Sequence, residues 1–414
     1  MIRVIESNQI DKVMARRSAR LDEAEKIVRP ILEAVRRRGD KALLEYAKKL
    51  DGFTGSSIRV PDEELDAAAS GLSSEFTGAV EKASANIRAF ATIQMPVEQM
   101  RQLARGLRAG QIVRPLDTVA AYIPAGRYPL PSTLMMTAVP AQVAGVKTIC
   151  VASPHPTAEI LGTARLLRVR DVYRMGGAQA IAAFAYGTAT VPKADRIVGP
   201  GNVYVAAAKK LLAGEVGIDF IAGPTEIMII ASEGDAEFVA ADMLAQAEHD
   251  VDASAILLTP SRRLARAVVV EIERQLKTLP TASVARKSME KNGAIVVVRS
   301  LEEAVEISNR FAPEHLSISE ERLLEYVTNA GSVFVGPFST EAAGDYASGP
   351  NHVLPTNGAA RLRGGLSVAD FVKVISVQHL SLDALRNLAP AITTLARAEG
   401  LEAHARSVEV RIRG

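Results

Sequence analysis

The sequence has one cysteine, no tryptophan and only 4% aromatic residues among its 414 positions. A lone Cys150 excludes an intramolecular disulfide framework and any zinc ribbon built on cysteines. So few aromatics leave little from which to build stacking platforms for single-stranded nucleic acid. Charge of one sign is lacking as well: 49 Lys and Arg stand against 47 Asp and Glu, a formal net charge of +2 that gives no global pull toward nucleic acid. No apolar run reaches the roughly 18 uncharged residues of a membrane helix. Charges scattered through the first twenty residues replace the apolar stretch of an export signal. These absences predict a chain that engages neither membrane nor nucleic acid and works in a reducing compartment, the cytoplasm.

What is present is core-forming residue in quantity, 48% hydrophobic with 23% charged, the balance of a folded globular chain. Residues 1 to about 105 read as helical and charge-rich. Ile27, Ile31, Leu32 and Val35 mark one face of a helix, and Gly39-Asp40 ends it. From Gln111 the pattern changes to short β-rich runs alternating with helical ones: Val119 to Ile123, Ser132 to Ala144, Thr148 to Val151, Ala158 to Leu167. It resumes from Glu226 to Phe311. Alternation of this kind predicts parallel sheets with helices on both faces. Two α/β units follow, joined near Ala222-Gly223-Pro224. After Asn357-Gly358 the strand rhythm fades, and Leu380 to Ala405 reads as helical with Pro390 near a helix start. The predicted organisation is a helical segment 1–108, α/β domains 109–223 and 224–360, and a helical segment 361–414.

No Walker sequence and no Gly-x-Gly-x-x-Gly after a strand is present. Two glycine turns between strand and helix stand in their place, Met175-Gly176-Gly177-Ala178-Gln179 and Val198-Gly199-Pro200-Gly201-Asn202. Glycine lets backbone approach a ligand, and a helix N-terminus offers free N–H groups. Asn202 sits where an N-cap belongs. Either turn alone serves equally as plain turn chemistry; two in one α/β unit point to an atypical nucleotide site.

Six histidines can be taken one by one. His155 lies in a solvated Pro-His-Pro loop, and His379 has no acid or amide beside it. Gln246 and His249 are three apart and share a helix face. Glu314-His315 places an acid and an imidazole side by side in a loop, the residue types of general acid–base chemistry and water activation. Gly344-Asp345 to Asn351-His352 forms a Gly-rich loop with another such pair, and Glu399 and His404 stand near the C-terminus. Gln246, His249, Asp345 and His404 together offer nitrogen and oxygen donors that zinc accepts without cysteine. Spacing alone does not bring them together.

These motifs resemble those of the histidinol dehydrogenase family. The similarity rests on Gly176 to Ala182, Val198 to Asn202, Ala222 to Glu226, Gln246 to His249, Ala312 to Leu316, Gly344 to Gly349, Asn351 to Thr356, and Glu399 to Leu401 with His404. It spans about residues 20 to 410. The resemblance implies an α/β fold of two incomplete Rossmann-like domains, similar to aldehyde dehydrogenases, the first of them binding NAD. It implies oxidation of L-histidinol through L-histidinaldehyde to L-histidine with two NAD, the last steps of histidine biosynthesis. It further implies zinc on Gln246, His249, Asp345 and His404, anchoring the substrate, with His315 as general base and Glu314 activating water. Thr225, His352 and Glu399 would touch substrate along with the zinc ligands and His315, and Tyr122, Gln179 and Asn202 would touch NAD. The family forms homodimers with shared sites, so the segment 361–414 would complete the site of a second copy.

Three positions depart from the family's pattern: Thr225 stands for the usual Ser, Pro350 for the usual Thr, and Ala125 to Tyr128 replaces a Pro-Gly-Gly loop. A paralogue that oxidises another amino alcohol or a hydroxyalkyl sulfonate is the alternative; Glu399 and His404 favour an imidazole-bearing substrate. Many enzymes that oxidise aldehydes use a cysteine nucleophile, but Cys150 lies in the apolar run Thr148-Ile149-Cys150-Val151 with no acid or imidazole beside it. The expected outcome is that Cys150→Ala keeps steady-state NADH formation within about twofold of the parent, since a small buried residue contributes packing rather than chemistry.

Overall fold

A computed structural model describes residues 2–14, 21–124 and 128–413. Ala125 to Arg127, which fall in the unusual loop noted above, lie outside the described residues.

The first strand, β1 (Arg3–Glu6), is followed by the short α1 (Asp11–Met14) and four helices, α2 (Leu21–Arg38), α3 (Asp40–Leu50), α4 (Asp62–Ser70) and α5 (Ser74–Ile93). Next come β2 (Gln99–Ala104) and β3 (Leu107–Pro115). The first α/β unit runs β4 (Thr118–Tyr122), α6 (Pro131–Ala144), β5 (Thr148–Ala152), α7 (Ala158–Leu166), β6 (Asp171–Tyr173), α8 (Gly177–Tyr186), β7 (Arg196–Val198), α9 (Val203–Leu212) and β8 (Gly217–Ile218). The second runs β9 (Glu226–Ile230), α10 (Ala236–Ala247), β10 (Ser254–Thr259), α11 (Arg262–Gln275), α12 (Ala282–Lys291), β11 (Ala294–Val297), α13 (Leu301–Phe311), β12 (His315–Ile318), β13 (Ser332–Val335) and α14 (Glu341–Tyr346). The chain closes with β14 (Val372–Leu380), α15 (Leu382–Ala398) and α16 (Glu402–Ile412).

The expected pair of parallel sheets is there. One has the order β6-β5-β4-β7-β8 and the other β1-β11-β10-β9-β12-β13. Within each α/β unit the strands lie third, second, first, fourth, fifth, the doubly wound order that reverses beside its first strand. Strand side chains alternate between faces, and both faces are apolar. Val119, Ala121 and Ile123 enter one core with α4 to α7, while Ala120 and Tyr122 enter another with α2, α3, α8 and α9. In the second sheet Ile227 and Ile229 face one core, and Met228 and Ile230 the other. Cys150 is fully buried in β5, where burial pushes its thiol up to about 12.

Several sequence expectations are corrected. The first 105 residues are not only helical: β1 pairs in parallel with β11, and β2 joins a three-stranded antiparallel sheet of order β14-β3-β2. β1 has charged ends and a half-exposed edge position, so it lacks clean apolar alternation. The strand rhythm does not end after Gly358, because β14 pairs with all of β3. Its residues are mostly exposed, which removes the buried alternation that marks a strand. Pro390 lies well inside α15 rather than near its start. Among the described residues no helix is long and apolar enough to cross a membrane.

Candidate active site

The chemistry-bearing residues of the second unit gather at the amino ends of β9 and β12, the two strands flanking its reversal. Thr225 immediately precedes β9, and His315 opens β12 rather than lying in a loop, with His315 in register with Ile227. Asp345 likewise belongs to a helix, α14, in place of the predicted Gly-rich loop. Thr340 caps that helix by accepting from Ala343 N. Gly344 allows it to sit close: a Cβ there would stand 2.6 Å from the Phe334 ring of β13. Glu341 and Asp345, four apart, therefore present one face to His315, whose own ring lies 6.0 Å from that of Phe334.

Around the buried His315 ring stand three carboxylates. Nδ1 is 3.7 Å from Glu314 Oε2 and 3.7 Å from Glu341 Oε1, and Nε2 is 3.6 Å from Asp345 Oδ1. Nδ1 also lies 3.2 Å from the Glu226 carbonyl. A carbonyl can only accept, so Nδ1 carries the hydrogen in that contact and Nε2 is left buried without a hydrogen bond. Burial alone disfavours a proton on this ring, but Glu341, Glu314 and Asp345 outweigh it and push the imidazole up to about 10. Burial raises Glu341 to about 8, with Asp345 and Glu314 adding to the effect. Glu314 is also raised by burial. It accepts from Thr225 Oγ1 at 2.5 Å and from Glu226 N at 2.9 Å, both on Oε2. For Asp345, burial opposes the charge, yet the His315 imidazole beside it holds the carboxyl below its usual range.

Gln246, fully buried near the end of α10, adds an amide. With its nitrogen toward the acids it donates to Glu341 Oε1 at 2.7 Å, and its oxygen competes with Glu314 Oε2 for the single hydrogen of the Thr225 hydroxyl. His249 lies just beyond the helix end and not within it. Its Nδ1 donates to the Ala245 carbonyl at 3.0 Å, which leaves Nε2 free. His352 donates through Nδ1 to the Asp345 carbonyl at 2.7 Å, and its Nε2 meets Thr133 Oγ1 of α6 at 3.1 Å. Burial lowers its pKa.

Glu399 and His404 are not brought in. Both are exposed on the C-terminal arm, and among the described residues neither has a hydrogen bond or ion pair to the cluster. Glu341 was missed in the sequence, although its four-residue spacing to Asp345 was a readable signal. His315, Glu341 and Asp345 can bring one ligand atom each within 4.8 Å of one another, a geometry that could hold a cation.

In the first unit, Gly199 has φ +106°, and a Cβ on it would collide with the Tyr122 carbonyl. The carboxyl ends of β4 and β7 therefore meet at the reversal, where open parallel sheets bind ligands. Asn202 caps α9 as predicted, accepting from Tyr204 N at 3.0 Å and Val205 N at 3.1 Å. Gly177 opens α8, and its N–H donates to the Tyr122 hydroxyl at 3.1 Å.

The histidinol dehydrogenase family model matches residues 14–412. The chain belongs to the histidinol dehydrogenase family. It is 46% identical over 392 residues to histidinol dehydrogenase of Bacillus thuringiensis, covering 93% of this chain and 91% of that one. It is 45% identical over 415 residues to that of Methanothermobacter thermautotrophicus, covering 98% and 97%. A crystal structure of histidinol dehydrogenase from Elizabethkingia anophelis superposes with a TM-score of 0.96 at 38% identity, covering all of this chain and 98% of that one. Histidinol dehydrogenases are oxidoreductases of histidine biosynthesis.

One further acid faces the cluster. Asp242 lies one helical turn before Gln246; burial raises it to about 6, and its charge is felt at Glu341. A carboxyl raised by folding binds its proton more tightly in the folded state, so stability falls as the pH rises toward and through about 6. Asp242→Asn should therefore raise the melting temperature at pH 8, by on the order of 2 kcal/mol of stability, and the gain should shrink steadily toward pH 4. Melting curves across that range check it; a gain independent of pH would contradict the burial argument.

Proposed function

We propose that this chain oxidises L-histidinol through L-histidinaldehyde to L-histidine, using NAD and zinc in a cytoplasmic homodimer with shared sites. The observation that carries the proposal is the Glu314–His315 pair, buried at the amino ends of β9 and β12 with one nitrogen and one carboxylate oxygen left over for a substrate. Because Nδ1 of His315 is tied to the Glu226 carbonyl, Nε2 is the atom that takes the alcohol proton. Because both bonds to Glu314 fall on Oε2, Oε1 is the atom that takes a proton from water for attack on the aldehyde. His315 then serves as base again in the second oxidation.

The donor set fits a cation. Three carboxyl groups around one imidazole offer oxygen donors, and the free Nε2 of His249 is oriented by a backbone carbonyl, the usual tether of a metal-binding imidazole. Gln246, His249 and Asp345, with His404 from a second copy of the chain, would hold zinc. When bound, zinc supplies a fixed positive centre that seats the substrate's imidazole and amine. His315 becomes a competent base only when positive charge meets the carboxylate field that now holds its proton. Thr225, His352 and Glu399 complete the substrate contacts.

For the cofactor, the switch point of the first sheet offers Tyr122, Gln179 and Asn202. Thr133 and His352 link that sheet's α6 to the acid–base cluster, which supports a cofactor lying near the substrate. NAD, when bound, accepts the hydride. The shared site is supported by the C-terminal arm: α15 and α16 pack mainly on each other and leave Leu395, Leu401 and Val410 exposed beside Glu399 and His404.

His315→Asn should lower both oxidations by on the order of 10³-fold, whereas Glu314→Gln should slow aldehyde oxidation far more than alcohol oxidation. NADH release followed separately from L-histidinol and from L-histidinaldehyde decides this, and equal losses in Glu314→Gln would remove the water-activating role. The shared site is tested by mixing. His315→Asn and His404→Ala proteins should each be inactive, but dissociating and reassociating them together should restore activity through hybrid dimers holding one intact site. Persistent inactivity of verified hybrids would mean each site is built from one chain.

A further inference from the structure

In a doubly wound dinucleotide-binding sheet, an acid at the carboxyl end of the second strand takes the 2′-hydroxyl of the adenosine ribose. The second strand of the first unit is β5, and it runs into Ser153-Pro154-His155 with no acid. A carboxylate reaches the same place from elsewhere. Asp51, the C-cap residue of α3, accepts through Oδ2 from Gly176 N at 2.9 Å and from Gln179 Nε2 at 3.1 Å. A Cβ on Gly176 would stand 2.7 Å from Pro154 Cβ and 3.0 Å from Asp51 Oδ1, so the end of β5, the start of α8 and this carboxylate converge. The N-terminus of α8, which would otherwise suit a phosphate, is occupied by the protein's own anion.

Two further observations point to a ligand there. Gln179 is fully buried, yet its Oε1 has no hydrogen-bond partner, and Ser153 Oγ at the end of β5 is buried without one as well. Asp51 Oδ1 also takes no hydrogen bond among the described residues. Gln179 Oε1 and Asp51 Oδ1 are acceptors only and call for donors, while the Ser153 hydroxyl can donate or accept. A ribose diol supplies donors; a 2′-phosphate supplies only acceptors and negative charge.

We propose that Asp51 determines cofactor choice: its free oxygen takes the 2′-hydroxyl of NAD, and its charge beside the Gln179 carbonyl refuses the 2′-phosphate of NADP. The inference rests on the NAD reading above and adds a residue from the helical N-terminal segment to it. Calorimetric titration of the full-length protein, without substrate, uses NADH, NADPH and 2′-deoxy-NADH as probes. The parent should bind NADH at least about tenfold more tightly than either of the other two, the worth of one charged hydrogen bond. In Asp51→Asn, a near-isosteric change, the NADH to NADPH preference should narrow by about tenfold or more. An unchanged preference in a folded Asp51→Asn protein overturns the inference. So does a parent that binds 2′-deoxy-NADH as well as NADH, a result that needs no variant to fold. A parent that binds neither NADH nor NADPH removes the NAD reading itself, and the role of Asp51 with it.

Discussion

Three carboxylates converge on one buried imidazole, and much of the second domain is arranged to make that tolerable. Isolated buried charges are costly, and they persist only when paired and hydrogen-bonded. Here the compensation is local. Glu314 is held by a hydroxyl and a backbone N–H, Glu341 by the Gln246 amide, and His315 by a backbone carbonyl. These partners come from the start of β9 and from α10, while the groups they hold come from β12, the residue before it and α14, so the cluster forms only when all four elements are in place. The close packing of Gly344 on Phe334 completes it. Charge balance, rather than shape alone, is what ties these elements to one geometry.

The same region also joins the two halves of the molecule. His352 spans from the Asp345 backbone to Thr133, Asn351 Nδ2 donates to the Met136 carbonyl at 2.6 Å, and Gly223 N donates to Thr356 Oγ1 at 2.5 Å. These bonds cross between the first sheet's α6, the interdomain connection and the segment after α14. Polar ties of this kind fix the separation of the two sheets more specifically than apolar packing would.

The parallel sheets were legible because buried strands and their crossover helices impose their own periods on sequence. The Asn202 cap was legible for a similar local reason, since a side-chain oxygen at a helix start has one obvious use. β1 and β14 were not, because an edge or exposed strand needs no unbroken apolar alternation. Glu341 escaped because the motif was read from Gly344 onward, one helical turn too late. Asp51 could not have been found by spacing at all: 125 positions separate it from the glycine whose N–H it accepts. Loop assignments for Glu314-His315 and Asp345 concealed that a strand start and a helix face aim these side chains.

The edge strand β1 has a consequence for the order of events in synthesis. Arg3 pairs in register with Ala294, and its guanidinium donates to the Lys291 carbonyl at 3.2 Å. The first strand made must therefore wait until some 290 further residues have left the ribosome, roughly 15 to 60 seconds at ordinary elongation rates. During that interval it is an unpaired strand on a growing chain. Its charged ends, Arg3 and Glu6, suit that wait, since charge on an unpaired edge discourages association with the wrong partner. Within the second sheet the earliest-made strand thus sits at an edge and cannot pair until β11 has followed it.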